Sequence, residues 1–272
     1  MSNVNSGARS LPGSDDYKVM ALLCVLLLLW SCALTDTVYK DFWKEEDKQK
    51  FGFCDWKCML FVQLWPGSFC VFLEKRFDCM IPEYVNTWTI HGLWPSDVMN
   101  CCSCWHLFQS DLQNLETQLS LYWPSFINNA SFIFWKNEWH KHGSCAACVE
   151  TLGSPSKYFG TALKLHTFYS LDKAFQTAGI VPSCDRSYSY KDLSGTLLSA
   201  FREFPELQCV MDKEGHEVLV QVKISLHRNF SAGCKDFQGA LNPSSSPYRP
   251  CNKTANIYYF PINRKTPRDP CP

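Results

Sequence analysis

The chain has 272 residues, of which 46% are hydrophobic, 15% aromatic and 19% charged. So much apolar mass, with a charged share below the roughly 25% of an ordinary globular chain, excludes intrinsic disorder, and only 13 glycines exclude a collagen-like repeat. Lys plus Arg and Asp plus Glu both number 26, so the net charge is zero with neutral His. That balance argues against gripping duplex nucleic acid through a broad basic face, while leaving room for a local phosphate site.

Residues 19–34, VMALLCVLLLLWSCAL, form an uncharged, mostly apolar run preceded by Arg9 and Lys18 and ending near Ser31-Cys32-Ala33, a small-x-small cleavage pattern. At sixteen residues the run is shorter than the roughly 20 that span a bilayer. A cleaved signal peptide with an extended leader, residues 1–33, is favoured over a retained signal anchor. Residues 34–58 read as a polar N-terminal arm.

Beyond the arm, residues 59–65 are an apolar strand carrying one polar residue, Gln63, and closed by Pro66-Gly67. Residues 87–95 read as a second strand. Leu112, Leu115, Leu119 and Tyr122 recur at helical spacing after Ser110-Asp111 and stop before Pro124. Residues 158–178 read as a helix ended by Gly179, and residues 192–204 as another. Val218, Val220, Val222, Ile224 and Leu226 alternate, the clearest strand in the chain, and residues 257–260 form a late strand. Helices and strands mix without a βαβ beat, so the expected fold class is α+β in a single domain, residues 59–263, followed by a loose tail, residues 264–272.

Sixteen cysteines are present, two of them, Cys24 and Cys32, in the leader. Behind a secretory leader the remaining fourteen imply disulfides. Three sequons, at Asn129, Asn229 and Asn252, fit a glycosylated luminal or extracellular protein. A rival reading takes Cys101-Cys102-Ser103-Cys104 with Cys145 and Cys148 as a zinc cluster. An oxidising lumen and the lack of a paired C-x₂-C repeat weigh against it.

Two segments carry the chemistry: Trp88-Thr-Ile-His91-Gly-Leu-Trp94-Pro95 and Phe134-Trp-Lys-Asn137-Glu138-Trp-His-Lys141-His142-Gly-Ser-Cys145. If the second is helical, Glu138, Lys141 and His142 share one face. A surface ion pair would explain that spacing alone. In the first segment, Gly92 directly after His91 permits a close backbone approach by a ligand. Two imidazoles from separate elements suit in-line phosphodiester cleavage: one takes the 2′-hydroxyl proton and the other protonates the leaving 5′-oxygen. A neighbouring Lys and carboxylate would stabilise the charged transition state.

These segments resemble the two active-site signatures of the ribonuclease T2 family, an aromatic followed after two residues by His-Gly-Leu-Trp-Pro, and His-Glu-aromatic-x-Lys-His-Gly-x-Cys, about fifty residues apart. Val62-Gln63-Leu64-Trp65-Pro66, Tyr122-Trp123-Pro124 and Tyr258-Tyr259-Phe260-Pro261 add to the likeness, which is that of a vertebrate-like secreted member. The resemblance implies a mainly antiparallel central sheet flanked by helices and stabilised by disulfides. It implies an endoribonuclease that cleaves single-stranded RNA through 2′,3′-cyclic phosphates, favoured at acidic pH, with no cofactor and no metal. The expected partner is single-stranded RNA and not duplex DNA; the expected state is a monomer without stable membrane association once the leader is cleaved, secreted or in the lysosomal lumen.

By position, His91 and His142 resemble the catalytic pair, the latter as base and the former as acid, with Glu138 and Lys141 as transition-state stabilisers. Trp94 resembles an aromatic that stacks a base, and Gln63 a base-site residue. Asn137 stands where the family has a third His that helps hold phosphate. This departure keeps open a weakened RNA-binding or signalling protein on the same scaffold. The resemblance also implies the disulfides Cys70–Cys79, Cys101–Cys145 and Cys209–Cys251. The usual partner of Cys234 is replaced by His227, which leaves Cys234 free or paired anew. Cys54 with Cys58, and Cys102, Cys104 and Cys148 among themselves, could pair locally. His106, His166, His216 and His227 read as solvated or structural.

Overall fold

The computed structural model describes residues 54–73, 77–127, 130–235 and 248–271. The chain divides into Met1–Phe51 and Gly52–Pro272, and everything described falls in the second unit. The leader and Asn129 lie outside the described residues.

A seven-stranded sheet organises the fold. Strand β1 (Cys58–Leu64) lies between β2 (Thr89–Pro95) and β5 (Glu217–His227), and β5 continues to β4 (Glu206–Met211) and the short β6 (Arg249–Pro250). These pairings are antiparallel; β7 (Asn256–Tyr258) pairs in parallel with β5 and antiparallel with β3 (Ser187–Ser189). The central strand β5 is buried on both faces over its first six residues. Alternation from Val218 to Leu226 therefore marks a strand, but not one whose odd positions meet water.

Helices α1 (Glu116–Tyr122), α2 (Ser131–Glu138), α3 (Pro155–Phe168), α4 (Leu171–Thr177) and α5 (Tyr190–Phe201) surround the sheet. The expected helix over residues 158–178 is two helices. Ser170 accepts from the Lys173 N–H and starts α4 as a new N-cap, while Tyr169 breaks the turn before it and sends its hydroxyl to the Phe230 carbonyl at 2.8 Å. Residues 109–112 form a 3₁₀ turn rather than the first turn of α1. In both places local capping overrides a continuous apolar stripe. One core cluster joins Trp88, Trp123, Trp139, Tyr158 and Phe159 with Phe61 of β1 and Ile224 of β5.

Six disulfides clamp the described residues. Cys70–Cys79, Cys101–Cys145 and Cys209–Cys251 are formed. Cys234 is bonded to Cys58, not left free, and Cys58 does not pair with Cys54. Cys58 is the register partner of His227 across β1 and β5, so the sulfur that β5 lacks comes from the adjacent strand at the same level. Cys102 bonds Cys104, while burial and a hydrogen bond with Cys148 push the Cys54 thiol up to about 11. Four of the five sulfurs of the supposed zinc cluster are thus consumed in disulfides, which overturns the zinc reading.

The tail is not loose. Arg264 donates to the carbonyls of Pro82, Glu83 and Val85 and to Asn86 Oδ1, Arg268 donates to the Leu73 and Phe77 carbonyls, and Cys271 is bonded to Cys184. No helix among the described residues is long and apolar enough to cross a membrane.

Candidate active site

The first signature lies on β2, and its pairing with β1 is irregular there. Gly92 faces Val62 and Ile90 faces Gln63, so His91 is an extra residue, a β-bulge. A bulge leaves one residue out of the ladder and re-aims its side chain. The His91 carbonyl, freed from the ladder, accepts from the Trp123 indole at 3.1 Å. The ring reaches past β1 to Gln221 on β5 and lies against Phe134 and Tyr248, at centroid distances of 6.2 and 6.5 Å.

The second signature begins as α2 and then widens into a π turn, Trp139–Gly143. Such single-turn widenings are rare and concentrate at functional sites. The altered angle per residue separates what an α-helix would align: Glu138 and His142 are buried, whereas Lys141 is exposed. Lys141 still acts on both through its charge, with its ammonium at the rim. Gly143 is required here, because a Cβ on it would sit 2.3 Å from the Trp139 ring. Cys101–Cys145 closes the turn covalently, and the Asn100 N–H caps the Lys141 carbonyl at 2.9 Å.

The two segments meet at Trp94. Its indole contacts the His91 ring at 5.1 Å and the His142 ring at 5.2 Å between centroids, and its N–H donates to Glu138 Oε2 at 2.8 Å. A Cβ on Gly92 would lie 1.9 Å from that indole nitrogen and 2.4 Å from Glu138 Oε2. The close approach that Gly92 permits is therefore by the protein's own carboxyl and indole.

Burial dominates the electrostatics. It pushes His91 down to about 4, opposed by the Gln221 hydrogen bond and reinforced by Lys223 and Lys141. His142 falls to about 3 through burial, with Lys141 and His91 adding to the effect; its Nδ1 has no hydrogen-bond partner among the described residues. Glu138 rises to about 7 by burial, against the Trp94 hydrogen bond and Lys141. Glu138 does not lift the histidine, because a carboxyl sealed from water gives up its own charge first.

The substrate-binding expectations divide. Asn137 is exposed at the end of α2, beside Glu138. Trp94 is half-buried and wedged between the imidazoles. Gln63 is fully buried, its amide donating to the Tyr169 carbonyl at 2.8 Å, so it lines no base site. The sequence reading missed Gln221, Gln208, Phe134 and Tyr248. A glutamine within Val218-Leu-Val-Gln221-Val is a usable signal, since a polar group in a strand buried on both faces needs a partner. Among the histidines set aside as structural, His166 is buried with Nε2 2.8 Å from the Trp88 carbonyl.

Comparison with known proteins follows the same lines. Residues 56–238 match the Ribonuclease T2 family. The chain is 31% identical over 220 residues to Ribonuclease T2 of Danio rerio, covering 76% of this chain and 89% of that protein. The crystal structure of human RNase T2 superposes with a TM-score of 0.64 at 32% identity, over 76% of this chain and 99% of that one. RNase NT, solved in complex with 5′-AMP, superposes with the same TM-score, 0.64, at 25% identity and the same coverage, 76% and 99%.

Proposed function

The chain belongs to the ribonuclease T2 family, and from that premise we propose that this endoribonuclease cleaves single-stranded RNA by metal-independent transesterification through 2′,3′-cyclic phosphates, fastest at acidic pH. The observation that carries the reading is the placement of His91 and His142 against one indole, at 5.1 and 5.2 Å, with Glu138 bonded to its edge.

His142, held lowest, is neutral across the working range and takes the 2′-hydroxyl proton. The 2′-oxygen attacks phosphorus, the bond to the 5′-oxygen breaks, and protonated His91 gives that oxygen its proton. Each transfer is worth roughly 10²–10⁴-fold. Because burial disfavours the His91 cation, its protonated fraction falls as pH rises, and the rate is highest in acid. The phosphodiester's negative charge pulls both histidines back up on binding. Glu138, neutral below about 7, offers an O–H to a non-bridging oxygen, where an ionised carboxylate would repel it. Lys141, exposed at the rim, supplies positive charge. Unpaired RNA suits the site, since the partly exposed Phe134 and Tyr248 rings beside His91 and the half-buried Trp94 edge can meet splayed bases.

The leader, the cysteines behind it and the exposed sequons at Asn229 and Asn252 support a glycosylated protein of the secretory pathway, secreted or lysosomal. The decisive experiment is cleavage of single-stranded RNA by purified protein from pH 4.5 to 7, with and without EDTA, beside His91→Ala and His142→Ala. Expected are cyclic-phosphate termini, indifference to EDTA, and loss of cleavage in both variants. Equal residual cleavage in all three proteins refutes the reading, and tight RNA binding without cleavage favours the weakened scaffold.

A further inference from the structure

His91 is the first member of a polar chain that crosses the sheet interior. Its Nδ1 hydrogen-bonds Gln221 Oε1. Gln221 Nε2 donates to Gln208 Oε1 at 2.6 Å, and Gln208 Nε2 donates to Glu206 Oε1 at 2.7 Å. Gln221 and Gln208 are 1% and 3% exposed, and the Lys223 ammonium lies 3.7 Å from the same Glu206 oxygen. The register of β4 and β5 builds this arrangement: Gln208 faces Gln221 and Glu206 faces Lys223, so the four side chains share one face as two cross-strand pairs.

The direction of every bond in the chain follows from its far end. An ionised carboxylate can only accept, so Gln208 must turn its NH₂ to Glu206 and its oxygen to Gln221. Gln221 must then turn its NH₂ to Gln208, which leaves only its oxygen for His91. An oxygen acceptor at Nδ1 requires that nitrogen to carry the proton. We propose that Glu206, acting through Gln208, sets the polarity of Gln221, and that Gln221 is the positioning residue that holds His91 as the Nδ1–H tautomer with Nε2 presented to the leaving oxygen. This rests on the reading of His91 as the acid of the reaction.

An amide in this place differs from a carboxylate. Gln221 orients the ring through its oxygen but brings no charge, so it favours the imidazolium far less than Glu or Asp would. The charges facing His91 are otherwise cationic or neutral: Lys223 from β5, Lys141 and His142 from the π turn, with the Tyr248 ring from the segment before β6. The chain thus fixes orientation while leaving His91 a strong acid.

The test is ¹⁵N NMR of the His91 imidazole in the RNA-free full chain at pH 7, with pH–rate profiles alongside. In wild type the Nδ1–H tautomer is expected. In Gln221→Leu the tautomers become mixed and kcat falls about 10–10²-fold with KM held within about twofold, as for the loss of a residue that orients a reacting imidazole. Gln221→Glu restores the Nδ1–H tautomer and moves the alkaline fall of kcat/KM upward by about one pH unit or more. Glu206→Ala, at a half-exposed position less prone to unfold, shifts the tautomer ratio the same way as Gln221→Leu. An Nε2–H tautomer in wild type overturns the proposal, as does an unchanged tautomer and pH profile in both Gln221→Leu and Glu206→Ala. The tautomer is read without RNA, so failure of wild type to cleave would sink the proposed function while leaving this result to stand or fall by itself.

Discussion

The Trp94 indole N–H donates to Glu138 Oε2 at 2.8 Å across the space that any side chain on Gly92 would occupy. This contact helps join the two signature segments, and it explains why the residue after His91 has no Cβ. Replacing Gly92 with Ala would push a methyl group onto both partners. The expected result is a kcat/KM about 10²-fold lower, because a carboxyl displaced by even 1 Å loses its alignment, and a stability loss of about 1–3 kcal/mol from overpacking. Steady-state cleavage and thermal melting read the two effects. A Gly92→Ala protein with wild-type activity and melting temperature would remove the contact from the mechanism.

Glu138 is expected to act as a neutral acid rather than as a carboxylate. Its carboxyl is held at about 7, so it loses its proton as pH rises past neutrality. Glu138→Gln keeps a hydrogen-bond donor at every pH. At pH 5 the variant should fall within about 10-fold of wild type, and the ratio of variant to wild-type kcat/KM should climb between pH 6 and 8. A flat or falling ratio in that interval contradicts the assigned role.

Stability in acid follows from the two imidazoles. His91 and His142 are held at about 4 and about 3, below the 6.5 of a free imidazole, so between pH 6.5 and those values the unfolded chain binds protons that the folded one refuses. Stability on their account is complete above 6.5 and is lost as pH falls through 6.5 towards 3, by about 3–5 kcal/mol each. Glu138 works oppositely: its raised value lets the fold bind a proton between 4.5 and about 7, so its contribution weakens as pH rises through that window. His142→Ala should therefore melt at a temperature less sensitive to acid than wild type between pH 6 and 4, measured calorimetrically without RNA. Parallel melting curves against pH would count against buried neutral imidazoles.

Asn137 is exposed at the end of α2, where it can donate a hydrogen bond but carry no charge. Asn137→His adds a cation in acid. A KM lower by about 3–10-fold at pH 5 is expected, the size of one partly exposed charge contact, with the gain gone above pH 7 and reduced by salt. A KM that does not respond to this substitution at pH 5 would show that position 137 does not meet the phosphate.

The C-terminal segment should prove structural. Arg264, Arg268 and the Cys184–Cys271 bond tie it to Leu73, Phe77 and residues 82–86 and to the loop after α4. Ending the chain at residue 263 removes all three, and a loss of about 2–5 kcal/mol is expected in denaturant unfolding. A truncated protein as stable as the full chain would mean that these bonds only decorate the surface.

Much of this protein is legible along the chain. The strand around His91 is legible because apolar spacing and Pro/Gly punctuation are local signals, whereas the helical spacing leading to His142 holds only to Glu138, before the turn widens. The hidden features involve pairing. His91 is a bulge only because Gly92 faces Val62 while Ile90 faces Gln63, a mismatch between strands about thirty residues apart that neither strand shows alone. Gln63 and Gln221 are similar in sequence, each a lone amide in an apolar strand. Gln63 ends on a helix-terminal carbonyl and Gln221 on the reacting imidazole, and only the neighbours on either side of β1 and β5 distinguish them.

By itself, the order of residues determined the chemical inventory: two imidazoles, an ammonium, a carboxyl and an indole in two short segments, and enough sulfur to clamp them. Tertiary structure alone decided their working states. Proton affinity and tautomer depend on which groups lose water and which oxygen lies opposite which nitrogen, and those are set by sheet register and a widened helical turn that bring distant residues within hydrogen-bond reach.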